Sequence, residues 1–244
     1  MKSFLIFIYG ISCYIIAMAS QVWFILYLSD WQIIEQNIHA PQVSSLPVAL
    51  LTNIVLIIVF ASQHSIMART WFKNAINNYI NPAAERSTYA LMSGLSLWLI
   101  VYCWQPVDGV IWHIEGTFIY LSLTLLFCFG WIFSTLATFI INHFELFGLQ
   151  QVYLNLVNKP TPQINFAEKL FYRFIRHPIQ LGILIAIWAT PIMTYGHLIL
   201  SVLFTIYIFI GLYLEEKDLV SALGDTYVDY KKRVGMIFPK STRK

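Results

Sequence analysis

Four stretches of the chain, 3–29, 46–63, 88–104 and 117–141, run for 17 residues or more without a charged side chain. A helix rises about 1.5 Å per residue and a hydrocarbon core is about 30 Å thick, so runs of this kind are sized to cross a bilayer. A fifth run, 179–214, is 36 residues long, too long for one crossing, and is interrupted by Pro191 and Gly196. This predicts a helical hairpin turning at 190–197. Backbone that leaves the helix within lipid must find its hydrogen bonds in protein or water, so the turn is expected at the far interface or beneath other helices. Hydrophobic residues make up 58% of the chain and charged ones 11%, against roughly a quarter charged in a soluble domain, which excludes an ordinary soluble enzyme. The expected fold is all-α: a polytopic integral membrane bundle of about six spans, including the C-terminal hairpin, with a cytoplasmic amphipathic C-terminal helix. A net charge of +3 spread along the chain does not suit nucleic acid. Cys13, Cys103 and Cys128 lie in apolar runs without metal or disulfide spacing, so no metal site is expected.

The first apolar run exceeds the h-region of a cleaved signal peptide and no small-residue cleavage site follows it, so it is expected to be retained. Lys and Arg are absent from 30–45 and 105–116, whereas 64–87 holds three, 142–178 four and the tail from Glu215 seven; with Lys2 these account for all 15. The positive-inside rule then places both termini and the two long polar loops in the cytoplasm and requires an even number of spans. The outer loops are short and acidic (Asp30, Glu35, Asp108, Glu115). Chemistry is therefore expected inside, with residues 1–141 forming a four-span scaffold and 142–244 a core of loop, hairpin and tail.

Within that core, Arg176-His177-Pro178 opens an apolar helix, with Gly182 a turn later. Proline at the first helical position marks a helix start, whose free N–H groups, beside Arg173 and Arg176, suit a carboxylate or phosphate. Gly182 would admit a ligand or another helix close to the backbone. At the other end of the hairpin stand Glu215, Glu216 and Asp218, then Leu219, Leu223, Gly224, Tyr227, Tyr230 and Lys231-Lys232-Arg233, an amphipathic pattern with a basic end. Taken singly, the arginines and the tail read first as headgroup anchors, the commoner role for such stretches. A hairpin brings its ends together, so Arg173, Arg176, His177, Glu215, Glu216, Tyr227 and Tyr230 can converge. Their chemistry suits a zwitterionic amino-acid nucleotide: arginine or a helix end for its carboxylate, glutamate for ribose hydroxyls or an ammonium, tyrosine for stacking on a purine.

RHPIQLG at 176–182, the Glu pair at 215–216, LGDTYVDYKKRV at 223–234 and Pro239 resemble the C-terminal core of the isoprenylcysteine carboxyl methyltransferase superfamily. That resemblance implies S-adenosylmethionine as cofactor, held by Arg176, His177, Pro178, Gln180, Gly182, Glu215, Glu216, Tyr227 and Tyr230. The strings SQHSIMAR (62–69), PAAERSTYALMSGLSLWL (82–99), WQP (104–106), HFELFGLQQVYLNL (143–156) and WATPIMTYGHL (188–198) resemble a narrower bacterial branch, the methanethiol S-methyltransferases. Gln180 stands where the isoprenylcysteine enzymes usually carry tyrosine, and 205–214 lacks the arginine they place before the Glu pair. The resemblance thus implies a small uncharged acceptor, methanethiol, converted to dimethyl sulfide.

A thiol near pKa 8.5 is mostly protonated at neutral pH, so its proton must be taken or its thiolate stabilised. Candidates for the chemical step are His64, His143, Glu145, Glu216 and Arg173, with His64 first because Gln63 and Ser65 make that helix end polar. Competing readings are a prenyl-thiol carboxyl or phospholipid methyltransferase and a non-enzymatic accessory protein related to denitrification proteins. A haem or quinone carrier would need facing histidines at mid-depth, which the pattern lacks. The expected partners are a small volatile thiol and the lipid bilayer.

Overall fold

A computed structural model describes residues 1–31, 33–35, 37–162 and 168–240. Residues 163–167 of the long basic loop, and Arg243 and Lys244 of the basic tail, lie outside the described residues. The helices are α1 (Lys2–Leu28), α2 (Leu46–Met67), α3 (Thr70–Ile76), α4 (Glu85–Cys103), α5 (Thr117–Ile141), α6 (His143–Leu146), α7 (Leu149–Leu156), α8 (Pro178–Trp188), α9 (Tyr195–Leu223) and α10 (Asp225–Arg233). Two short strands, β1 (Val110–His113) and β2 (Ile192–Thr194), pair antiparallel. The protein is an all-α, multi-pass membrane bundle.

Helices α1, α2, α5 and α9 are long and apolar enough to cross a membrane. Helix α8 is not: its 11 residues rise about 16 Å, roughly half the hydrocarbon core. The first arm of the expected hairpin is thus a half-length helix. Pro191 disfavours helical backbone at Thr190, and the chain leaves the helix at Ala189. It then enters β2, whose backbone is satisfied by β1 with Val110 opposite Thr194 and His113 opposite Ile192. Buried Thr190 and Met193 show this break to be covered by protein, as non-helical backbone in a bilayer requires. Gly196 is already helical, so the turn is shorter than 190–197.

The chain forms two compact units of interleaved segments. The first comprises 1–113, 142–162 and 192–200. Small residues let its helices approach: a Cβ on Gly94 of α4 would stand 2.8 Å from Ser20 Oγ of α1, and one on Gly10 of α1 would stand 2.6 Å from Val152 of α7. With little hydrophobic drive between helices in lipid, such contacts and interhelical hydrogen bonds hold the bundle. Between α2 and α4, Ser96 Oγ donates to Gln63 Oε1 at 3.0 Å. Asn53 of α2 donates to the Gln105 carbonyl and accepts from the Gln105 N–H, both at 2.8 Å.

The second unit comprises 114–141, 163–191 and 201–244. Its α5–α8 contact is backbone on backbone: a Cβ on Gly182 would lie 2.5 Å from the Gly130 carbonyl, and one on Gly130 would lie 2.6 Å from the Gly182 carbonyl. Gly182 therefore admits a neighbouring helix, which takes the space a ligand would need. Phe118, Leu121, Leu125, Phe129, Ile132, Leu136 and Phe139 of α5 are exposed, a lipid-facing surface. Gly182→Val must push α5 and α8 apart. We expect a loss of about 1–3 kcal/mol, read as a lower midpoint of thermal inactivation, with Gly211→Ala, whose Cβ meets nothing within 4 Å, as the tolerated control.

Candidate functional site

The two ends of the α8–α9 hairpin meet at Glu216. This carboxylate, buried at 3% exposure, accepts from Arg176 Nε at 2.6 Å and lies 3.1 Å from His177 Nε2, both at Oε1. Its other oxygen is 2.9 Å from Lys231 Nζ. Arg176 and His177 are buried too, an arrangement tolerable only because each charge is paired. Pro178 occupies the first turn of α8 and His177 precedes it as N-cap, so the proline that starts the helix also fixes the imidazole. Glu215 is half exposed, with Oε2 3.9 Å from His177 Nδ1.

The C-terminal segment closes this cluster. Arg176 Nη1 donates to the Lys231 carbonyl at 3.3 Å and to that of Val234. The Arg176 N–H donates to the Gly235 carbonyl at 2.8 Å and the His177 N–H to that of Met236 at 3.1 Å. Tyr230 donates its hydroxyl to the Tyr172 carbonyl at 2.6 Å. Tyr227 and Tyr230 are buried with Val234 against Leu219, Val220 and Leu223, so they seat the tail with their rings in its core. Burial pushes the Tyr230 phenol up to about 12 and raises that of Tyr227, Glu216 adding to the shift. The expected single amphipathic helix is two: α9 runs on to Leu223, then Gly224 at φ +58° turns the chain into α10, a conformation glycine adopts without steric cost.

Arg173 and Gln180 are not among the hydrogen-bond and ion-pair partners of Glu216. Arg173 is exposed and donates through Nε to the Glu168 carbonyl at 3.2 Å. Gln180 is half-buried on α8. Lys231, which sequence reasoning counted only as part of a basic end, is a missed member; it lies four residues after Tyr227, on the same face of α10.

His64, His143 and Glu145 belong to the first unit. His64 of α2 sits between two hydroxyls of α4, with Nε2 2.8 Å from Tyr89 OH and Nδ1 3.0 Å from Ser93 Oγ. Arg86 lies over the Tyr89 ring, 5.5 Å from its centroid. His143 is buried with Nε2 2.9 Å from Tyr14 OH, and burial lowers its pKa, favouring the neutral ring. Asn142 caps α6 by accepting from the Glu145 N–H at 3.2 Å, and the Glu145 carbonyl accepts from Gln151 at 3.2 Å. A groove of about 600 Å³ nearby is lined by Phe7, Ile11, Asn142, Phe144, Leu149, Gln150 and Tyr153.

Fold and site together define an integral-membrane helical protein whose paired charges gather where helix ends meet. The chain is 41% identical to methanethiol S-methyltransferase 1 of Bradyrhizobium diazoefficiens over 97% of its own length and 82% of that protein's. It is 41% identical to methanethiol S-methyltransferase of Mycobacterium tuberculosis over 98% of both. It is also 30% identical to nurim of Bos taurus over 74% of its length and 71% of that protein's. No family model and no solved structure matches. The chain belongs to the methanethiol S-methyltransferase family.

Proposed function

We propose that the protein methylates methanethiol with S-adenosylmethionine, releasing dimethyl sulfide and S-adenosylhomocysteine, at the cytoplasmic face of a bacterial inner membrane. The observation that carries this reading is end-to-end identity of 41% with a protein of that name, covering 98% of both chains. The Glu216 cluster fits the cofactor chemically: a buried carboxylate with one face toward a half-exposed lysine, an exposed neighbouring Glu215 and the N-terminus of α8 offer partners for ammonium, carboxylate and ribose hydroxyls. S-adenosylmethionine supplies, when bound, an electrophilic methyl group on a sulfonium. The protein's part is to hold the zwitterionic end at Glu216, to seat that site under the tail through Arg176 and Tyr230, and to exclude water. Opposite charges annihilate as a thiolate sulfur bonds to the methyl and the sulfonium bond breaks, so a low-dielectric surrounding favours the transition state over water.

The thiol proton needs an acceptor, and we assign it to His64, whose two ring nitrogens meet the Tyr89 and Ser93 hydroxyls. His143 and Glu145 are the alternatives. Membranes holding the protein, given methanethiol and labelled S-adenosylmethionine, should release labelled dimethyl sulfide into the headspace; its absence at every pH between about 6 and 9 would refute the thiol reading.

Residues 142–244 are proposed as the methyl-transfer core. Both termini are proposed to be cytoplasmic, with an even number of crossings, on the segregation of all Lys and Arg. Reporter fusions at Lys73, Lys159 and the C-terminus should all report cytoplasm; a periplasmic signal at the C-terminus would mean that the half-length α8 and its strand break do not complete a crossing.

A further inference from the structure

We propose that Lys231 receives the carboxylate of S-adenosylmethionine, its ion pair with Glu216 opening so that the zwitterionic end of the cofactor inserts between the two side chains. This rests on the proposed use of that cofactor. The two oxygens of Glu216 are unlike. Oε1 is held by Arg176 and His177, whose side chains are 6% and 5% exposed. Oε2 faces Lys231, whose side chain is 35% exposed. Among the described residues, the lysine side is therefore the more open approach to Glu216.

The sequence offers an arginine or a helix end for the carboxylate, and the geometry commits most of Arg176 elsewhere. Arg176 uses Nε on Glu216 and Nη1 on the carbonyls of Lys231 and Val234. Turning these two nitrogens toward a ligand would break contacts to a buried carboxylate and two carbonyls at once, which leaves Nη2 as the remaining donor of Arg176. Arg176 is a positioning residue. Lys231 differs because its main chain is fixed while its head is free to move. Its carbonyl accepts from Arg176 Nη1 at 3.3 Å and from Lys240 Nζ at 2.6 Å, whereas its ammonium sits at the open edge of the cluster on a four-carbon stem.

Insertion conserves charge pairing. The ligand ammonium takes the place of Lys231 Nζ on Oε2, and Nζ turns to the ligand carboxylate, so one ion pair becomes two and both charges of the ligand's amino-acid end are paired. A partly exposed ion pair is weak, so opening it costs little compared with the two charged contacts that replace it. Glu215, with a side chain 49% exposed beside His177, is then available to ribose hydroxyls.

The test is equilibrium binding to the full-length protein in lipid nanodiscs, comparing S-adenosylmethionine with its decarboxylated analogue, which keeps the ammonium and lacks the carboxylate. Lys231→Gln should weaken S-adenosylmethionine about tenfold, the factor equivalent to 1.4 kcal/mol, and leave the analogue unchanged or bound more tightly. Lys231→Arg should retain most of the affinity. Equal losses for both ligands would show that Lys231 only supports the tail, and tighter binding of S-adenosylmethionine to Lys231→Gln would show that the lysine competes with it; either overturns the proposal. If wild-type protein binds neither nucleoside, the cofactor reading itself falls, and this proposal with it.

Discussion

Glu216→Gln should weaken S-adenosylmethionine binding by about two to three orders of magnitude and remove methyl transfer, while Glu35→Gln, at an exposed position between α1 and α2, should leave both intact. The substitution keeps size and hydrogen bonding but deletes the one charge that Arg176, His177 and Lys231 share. Breaking a buried ion pair by removing one partner costs about 3–5 kcal/mol because the other is left uncompensated. Here the stranded cation would be Arg176, which still holds the Lys231 and Val234 carbonyls. The tail should therefore stay docked while the binding face of the cluster turns positive, opposing a ligand that brings an ammonium and a sulfonium. Isothermal titration on the protein in nanodiscs reads the affinity, and resistance of the tail to proteolysis reads the docking. Equal effects of the two substitutions would remove Glu216 from the cofactor site.

The meeting of Arg176 and His177 with Glu216 was legible because a hairpin is a geometric statement: an apolar run too long for one crossing, broken near Pro191, brings its two ends back together. The helical class was legible for the same reason, since uncharged runs leave the backbone no alternative in lipid. What the pattern could not convey was which partner each charge chooses. Arg176 reads as a free cation beside a helix start, yet it is spent on Glu216 and the tail. Tyr227 and Tyr230 read as stacking surfaces, yet spacing of three and four residues along α10 serves core burial equally well, and that is where they lie. The half-length α8 was hidden because β2 is as apolar as a helix: Ile192 and Met193 fit either period. His39 and His197, far apart in sequence, come together with ring centroids 5.7 Å apart, His197 lying in the first turn of α9, a pairing that only tertiary structure reveals. Gly182 left two readings open, and the carbonyl of Gly130 on α5 decides between them.

Methanethiol should be the best acceptor in a series of linear thiols, with each added methylene lowering kcat/KM and with charged thiols such as cysteine or thioglycolate turned over least. Size discrimination by an apolar pocket is worth about 1–3 kcal/mol per methylene, or roughly one decade in rate for each carbon. Charge discrimination should be steeper, because a carboxylate brought into a dry pocket without a cation pays its desolvation in full, and α9 carries no Lys or Arg before Glu215. The rate should rise with pH as the thiol proton becomes easier to remove. His64→Gln tests the assigned acceptor by the shape of that profile: it should depress the rate at neutral pH by about 10²–10⁴, with the deficit shrinking toward alkaline pH, where solvent supplies thiolate. A uniform deficit at all pH values would make His64 a packing residue between Tyr89 and Ser93. A prenyl-thiol acceptor predicts the opposite size order, with a farnesylated cysteine far better than methanethiol, so one competition experiment in lipid nanodiscs separates the two chemistries. Faster methylation of the farnesylated compound would transfer the assignment to a lipid-borne substrate while leaving the Glu216 cofactor site in place.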